Sequence, residues 1–471
     1  MKLISLSALL MFSFFARAQD FSVDQKLGAE GKAQVEATMG IYSDSEKNRI
    51  ITQLGNKLVK NLKNPNFEYH FFLVDAGEPN AFALPGGYIF FTRGILALAN
   101  SEDELAGVMG HEIIHSANRH TIKQQKKSFL PGLLKVPGAL TGALMGENAA
   151  KIFTPLDKGG EALMASHSRK DEFEADELGV ELAAKSGYDP LALSRMLSTL
   201  GASIEIFTGE KEKPSYFSDH PYTPRRIEGI QKKAEQLQPA ASEPVFKSKH
   251  DFLKFIDGVE VGPNPRQGIF QGDWFLHPDL NFKIKIPASW IRQNSPTAVV
   301  AADSTQSAIV MLEVESQVKS AASAAESFAT AFKKNTGVSV NVTEQKVNGN
   351  PSSRIAVTKN QGNDKVTVTV FWIEWGGNVY KLTGASSPET ITQVVNVLES
   401  FTRLPENERK GITKRIVRVV ETGSGETLKM VSDRSHNVIP LRLIAAANGI
   451  PESKVFEQGD LVKVVVEVPY Q

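Results

Sequence analysis

The sequence predicts a multidomain chain: an α-rich N-terminal domain with a small edge β-hairpin or sheet, then an α+β domain, then a small βααβ module. Three observations lead there. Apolar residues recur at helical spacing through the first 240 residues, and one such stretch carries the pattern HExxH. Gln236 to Pro244, QLQPAASEP, shifts the composition toward Pro, Ala and Ser and reads as a linker. Beyond it, period-two alternation takes over, and residues 411–471 run strand, helix, helix, strand. The expected boundaries are 1–18 for a leader, 19–240, 250–407 and 411–471.

Lys2, an apolar run from Leu3 to Phe15, and Ala16-Arg17-Ala18 as a small-x-small cleavage site predict a secretory signal peptide over residues 1–18. It is too short and wrongly flanked for a membrane span, and no later apolar run is long enough for one. The mature chain is therefore expected to be exported, periplasmic or secreted, soluble or peripheral, with no transmembrane segment. Cys is absent, so disulfides are impossible and any metal site must use His and carboxylates. The 53 basic and 53 acidic residues cancel, which argues against nucleic acid as a partner.

Val23 to Met39 and Ser45 to Leu62 read as helices, the second with Ile50, Ile51, Leu54, Leu58 and Val59 at helical spacing. Glu68 to Val74 reads as a strand. In Asn80 to Gly94, NAFALPGGYIFFTRG, residues 83–85 and 88–92 read as extended, and Pro85, Gly86 and Gly87 make a bulge or turn that suits an edge strand. Such an edge either closes a hairpin of the core or holds a peptide by strand addition, with Asn80 and Phe82 as substrate-binding candidates.

Ser101 to His120 predicts a helix opened by a Ser101–Glu104 capping box. His111 and His115 fall one turn apart on one face, with Glu112 beside them, so two imidazoles can converge on one ion. Two neutral His and one carboxylate leave a fourth position open, the arrangement of catalytic zinc. Ser168 to Gly179, SRKDEFEADELG, supplies the carboxylate: Glu172 and Asp176 share a helix face, Glu172 for the metal and Asp176 for the free ring N–H of a ligating His. Gly179 allows a neighbouring helix to approach closely. Read singly, the HExxH helix could be an ordinary buried helix with hydrogen-bonded His, and the acidic helix a solvated face.

Together, NAFALPGGYIFFTRG, GHEIIH, SRKDEFEAD and SDHPYTPRRI, in this order over Phe21 to Leu237, resemble the HtpX-type zinc metallopeptidases, a family that includes the CAAX prenyl proteases and soluble periplasmic BepA-like enzymes. The resemblance implies an α-rich gluzincin-type metallopeptidase domain over 19–240, with His111, His115 and Glu172 as ligands of Zn2+ and Glu112 as general base. The family's ExxxD pattern falls on Glu172 and Asp176. Its His-Pro element falls on His220 and Pro221, making His220 either a catalytic donor or latch at the metal, or a loop residue capping the next helix. Thr223 as N-cap and Pro224 as first helical residue start that helix and place Arg226 near the site, a further substrate-binding candidate. Phe129 to Phe153, where membrane-bound relatives have spanning helices, is broken by Pro and Gly and reads as a flap over the cleft.

In the second half, Phe282, Ile284 and Ile286 alternate, as do Val366, Val368, Val370 and Trp372, while Phe328 and Phe332 mark one helix and Ile391 to Phe401 another. This mostly antiparallel α+β pattern is loosely similar to PsbP-like modules. The terminal RIVRVV, IPLRLIAAANGI and LVKVVVEV resemble a LysM-type module, although the stretch from Glu421 to Gly425 is longer than that fold uses. It predicts either peptidoglycan binding or a capping or substrate-docking role. The expected function is an exported zinc endopeptidase acting on polypeptides of the cell envelope. The alternative is a chaperone-like or peptidoglycan-associated client-binding protein with latent protease activity.

Overall fold

The computed structural model describes residues 21–122, 167–208, 220, 224–315, 317–361 and 364–470. The expected signal peptide, the expected flap over Phe129 to Phe153 and the expected Thr223 cap lie outside the described residues. Among the described residues, no helix is long and apolar enough to cross a membrane.

The chain begins with α1 (Ser22–Thr38) and α2 (Ser45–Val59). Asp44 starts α2 by accepting from the Lys47 N–H, and Ile50, Ile51, Leu54 and Leu58 form its buried face. Next come β1 (His70–Val74), β2 (Ala81–Leu84), a 3-10 turn over Pro85–Gly87 and β3 (Tyr88–Thr92). Their order is β1-β3-β2, with β1 parallel and β2 antiparallel to β3, so β2 is the edge strand and β3 lies in the middle. Gly86 and Gly87, with φ of 78° and 90°, turn the chain from one to the other through backbone that L side chains rarely adopt.

Thr92 caps α3 (Arg93–Leu98), and α4 (Glu102–Ala117) follows. Ser101 Oγ accepts from the Glu104 N–H at 3.2 Å, as the spacing implied. The return bond goes from the Asn100 N–H to Glu104 Oε2 at 2.7 Å, one residue before the position a reciprocal box uses. The full capping box occurs instead on α5 (Arg169–Lys185), between Ser168 and Asp171. Then come α6 (Ala192–Thr208) and α7 (Pro224–Ala234). Where α4 crosses α5, Gly110 faces Gly179. A Cβ on Gly179 would stand 2.8 Å from the His111 backbone nitrogen, and one on Gly110 2.7 Å from the Gly179 carbonyl oxygen. Only hydrogen fits on either side, and the helices come close enough for their functional faces to meet.

From Ile269 to Arg403 the chain forms an α+β unit. Its seven-stranded antiparallel sheet includes Ala308–Glu315, Asp364–Trp375 and Asn378–Ser386. Val368, Val370 and Trp372 pack with Phe332 on one face, while Phe371 and Ile373 pack with Val394 and Leu398 on the other. The helices Ala321–Thr336 and Ile391–Glu399 thus cover opposite faces.

The segment before that unit belongs with the ends of the chain. Phe252, Leu253 and Ile256 of α8 (Lys249–Ile256) share one core with Leu105 and Met109 of α4 and with Val417. The next strand, β4 (Glu260–Val261), pairs with β5 (Thr413–Glu421), which pairs with β6 (Leu461–Pro469). Between β5 and β6 lie α9 (Leu428–Arg434) and α10 (Leu441–Asn448), packed through Leu428, Val431, Ile444 and Val462. Two buried cations fasten this unit to α3. Arg93 donates to Asp75 Oδ1 at 2.6 Å and to the Glu260 carbonyl at 2.7 Å. Lys463 Nζ donates to the carbonyls of Ala97, Leu98 and Ala99 at 3.1, 2.6 and 3.0 Å, filling acceptors that the end of α3 leaves open.

Two outcomes follow from these contacts. Gly179→Ala puts a methyl into backbone and should lower stability by about 1–3 kcal/mol, read from denaturant midpoints; an unchanged midpoint contradicts the crossing. Burial pulls the Lys463 ammonium down to about 7 against the opposing charge of Glu104. The unfolded chain keeps that proton to about pH 10. Between those values the unfolded state binds more protons, so this residue makes stability rise with pH. The unfolding free energy of wild type minus that of Lys463→Met should therefore rise from pH 7 to pH 10, and a difference that stays constant contradicts the assignment.

Candidate metal centre

Four side chains from three places converge under α4. His111 and His115 come from α4, Glu172 from the first turn of α5, and His220 from the residues before α7; all four are buried, with one ligand atom each within 4.8 Å of the others. His111 Nε2 lies 3.0 Å from His115 Nε2 and 3.6 Å from Glu172 Oε2. Glu172 Oε1 is 3.3 Å from His115 Nε2 and 3.1 Å from His220 Nδ1, which is 3.3 Å from His111 Nε2. Tetrahedral zinc with bonds of ~2.0–2.1 Å separates its ligands by ~3.3–3.4 Å, so these spacings fit a zinc-sized ion. Nitrogen lone pairs and a carboxylate crowded this closely are a donor set, and the residues fit the metal.

Glu112 is fully buried beside the cluster, its Oε1 3.5 Å from His220 Nε2, and neither carboxylate oxygen has a hydrogen-bond partner among the described residues. Burial pushes its carboxyl above the ordinary range, against the pull of His220 and His111. Burial also acts upward on Glu172, but His220, hydrogen bonds from His115 and His220, and Arg226 outweigh it and hold Glu172 well below the carboxylate range. For His220, burial acts downward, yet Glu172 and Glu112 raise it to about 9. Burial holds His115 well below the usual imidazole value, as a neutral ligand requires.

A ring of polar groups fixes the donors. Asp176 Oδ1 lies 3.0 Å from His111 Nδ1. Arg226 donates through Nε and Nη2 to the two Asp176 oxygens at 2.7 and 2.8 Å, and its Nη1 lies 2.7 Å from Glu172 Oε2. One guanidinium fork thus ties Glu172 to Asp176, which stands behind His111.

Residues 45–234 match Peptidase family M48. They form an M48 metallopeptidase domain. Relatives of the chain include the beta-barrel assembly-enhancing protease of Escherichia coli (strain K12), 27% identical over 49% of this chain and 46% of that protein. The mitochondrial metalloendopeptidase OMA1 of Schizosaccharomyces pombe is 30% identical over 38% of this chain and 50% of that protein. Metalloprotease LoiP of E. coli (strain K12) is 28% identical over 40% of this chain and 71% of that protein. The chain spans about half the length of the first two of these relatives.

In the M48 domain the structure brings together seven residues singled out in the sequence: His111, Glu112, His115, Glu172, Asp176, His220 and Arg226. Arg226, expected to contact substrate, is 2% exposed and engaged by Asp176 and Glu172. Phe82, also expected at the substrate, is 4% exposed and stacks on Phe90 at 5.0 Å, in a cluster with Val35 and Leu84. Its ring is occupied by the core because strand side chains alternate, and this one falls on the α1 side. Asn80 is buried where its main chain closes on Thr92. Two further imidazoles were not singled out. His120 Nδ1 is 3.0 Å from His115 Nδ1, and His167 stacks on the His115 ring at 3.9 Å. His120 stands five residues after His115, a spacing off the HExxH face of a continuous helix, so no periodicity marks it.

Arg226→Met leaves two buried carboxylates without their cation. The metal-free protein should lose about 3–5 kcal/mol of unfolding free energy, measured by denaturant titration, and an unchanged midpoint contradicts the clamp.

Proposed function

We propose that the M48 domain is a zinc-dependent endopeptidase that hydrolyses peptide bonds of cell-envelope proteins, in a chain exported to the periplasm or secreted. The observation that carries this reading is the buried donor set of His111, His115 and Glu172 with Glu112 beside it, a carboxylate that accepts no hydrogen bond from the described residues and faces His220 at 3.5 Å. His111, His115 and Glu172 would hold the ion. When bound, zinc supplies Lewis acidity, polarising a carbonyl oxygen and acidifying a water molecule. Glu112, with a carboxyl raised by burial, takes a proton from the attacking water and returns it to the leaving amine. β2 ends the sheet but its four residues are buried, so an extended peptide added there would pair with main chain, rather than with the ring of Phe82 or Asn80's amide, once that edge is uncovered. The envelope as the place of action is supported by the printed name of the beta-barrel assembly-enhancing relatives and by the leader pattern at residues 1–18.

A second reading, a client-binding protein with latent protease activity, is favoured by one observation. His220 Nδ1 lies 3.3 Å from His111 Nε2 and 3.1 Å from Glu172 Oε1, where it would supply a fourth ligand to the ion. Peptidoglycan as a partner through the C-terminal module belongs to this reading.

One assay separates them. Casein hydrolysis by the full chain should vanish with chelator and return with zinc, and Glu112→Gln should keep its zinc while losing at least about a hundredfold in rate. Retained proteolysis in zinc-loaded Glu112→Gln contradicts the assignment of the base. Activity that appears only in His220→Ala supports latency.

A further inference from the structure

The two imidazoles that face the metal are anchored at their far edges by groups of different kinds. Behind His111 stands Asp176, a carboxylate that can only accept, 3.0 Å from His111 Nδ1; it favours hydrogen on that nitrogen and leaves the Nε2 lone pair for an ion. Behind His115 stands His120, whose Nδ1 is 3.0 Å from His115 Nδ1. An imidazole nitrogen can donate or accept, so the direction of that bond depends on the other edge of His120. His120 Nε2 faces Asp171 Oδ1 at 3.9 Å and Glu174 Oε2 at 3.8 Å. Two carboxylates there favour hydrogen on Nε2, which leaves Nδ1 as the acceptor.

We infer that His120 is a positioning residue of the metal centre: its Nδ1 accepts the hydrogen of His115 Nδ1 and fixes the tautomer in which His115 can ligate. This rests on the zinc-peptidase reading. The backbone is arranged for it. In a continuing helix, a residue five positions on would point about 140° away from His115. Instead α4 stops at Ala117, and Arg119 takes a left-handed φ of 55°, which returns His120 beneath His115. That turn is held by Arg119 Nε donating to Asp24 Oδ1 at 2.8 Å. The two carboxylates are held as well, Glu174 by the Asn118 amide at 2.7 Å and Asp171 by the Ser168 hydroxyl at 2.6 Å. The His115 ring itself is enclosed, with His120 meeting it at 4.9 Å and 80° and His167 stacked on it at 3.9 Å and 26°.

The test compares His120→Phe, His120→Asn and His120→Gln in the full chain, titrated with zinc and with cobalt(II). The Asn oxygen can occupy the place of Nδ1, whereas the Gln oxygen reaches only the place of Nε2. The zinc dissociation constant should rise about 10- to 100-fold in the Phe and Gln variants and return to within about threefold of wild type in Asn. The cobalt absorption bands should shift in Phe and Gln and stay in place in Asn. Glu174→Gln, at a partly exposed side chain whose loss should not disturb folding, should weaken zinc about two- to fivefold. Wild-type affinity and bands in His120→Phe overturn the role, and so does equal loss in Phe and Asn, the signature of mere packing. A wild-type chain without tight zinc binding defeats the peptidase reading itself, whereas tight binding by wild type and His120→Phe alike defeats only the role of His120.

Discussion

Gly110 and Gly179 lie back to back where α4 crosses α5, and the distance they permit governs the metal site. His111 follows Gly110 directly, and Glu172 lies seven residues before Gly179, two turns along α5. A wider crossing would carry the carboxylate away from the imidazoles. Because the contact is between backbones, the spacing of the donors is set by the least compliant part of either helix. The apolar core around it, with Leu105, Met109, Ala175 and Val180 fully or nearly fully buried, holds the two axes in place.

Crowding so much charge into a buried space is tolerable only because each carboxylate faces a guanidinium or an imidazole. Arg226 satisfies Asp176 with two donors and reaches Glu172 with the third nitrogen. Glu112 differs from them, its carboxyl pushed upward by burial while those of Glu172 and Asp176 are held low. The difference between the carboxylates lies in their neighbours, since all three are equally withdrawn from solvent. The same helix termini do both jobs: the Ser168 cap that starts α5 also holds Asp171 toward His120, and the end of α4 at Ala117 sets the turn that returns His120.

Much of the centre was legible in the sequence because its logic is local. HExxH, the i, i+4 pair of Glu172 and Asp176, and Gly179 two turns on each state a face of a helix, and helical periodicity is a strong signal. The strand alternation that put Val368, Val370 and Trp372 on one face was equally plain. What stayed hidden depends on long-range contact or on a single dihedral. His120 needed the left-handed turn at Arg119, which no residue type announces. The pairing of β4 with β5 joins residues more than a hundred and fifty positions apart, and Lys463 reaches the end of α3 across most of the chain. Phe82 was placed at the substrate because its strand is an edge, but an edge exposes main chain and leaves side chains to alternate.

Two helices bring two imidazoles and one carboxylate to one point with the spacing of a single ion's ligands. Anomalous scattering at the zinc edge from crystals of the zinc-loaded full chain tests this most directly. One peak is expected within about 2.0–2.2 Å of His111 Nε2, His115 Nε2 and a Glu172 oxygen. A peak elsewhere, or a Glu172 carboxylate outside bonding distance of the ion, contradicts it.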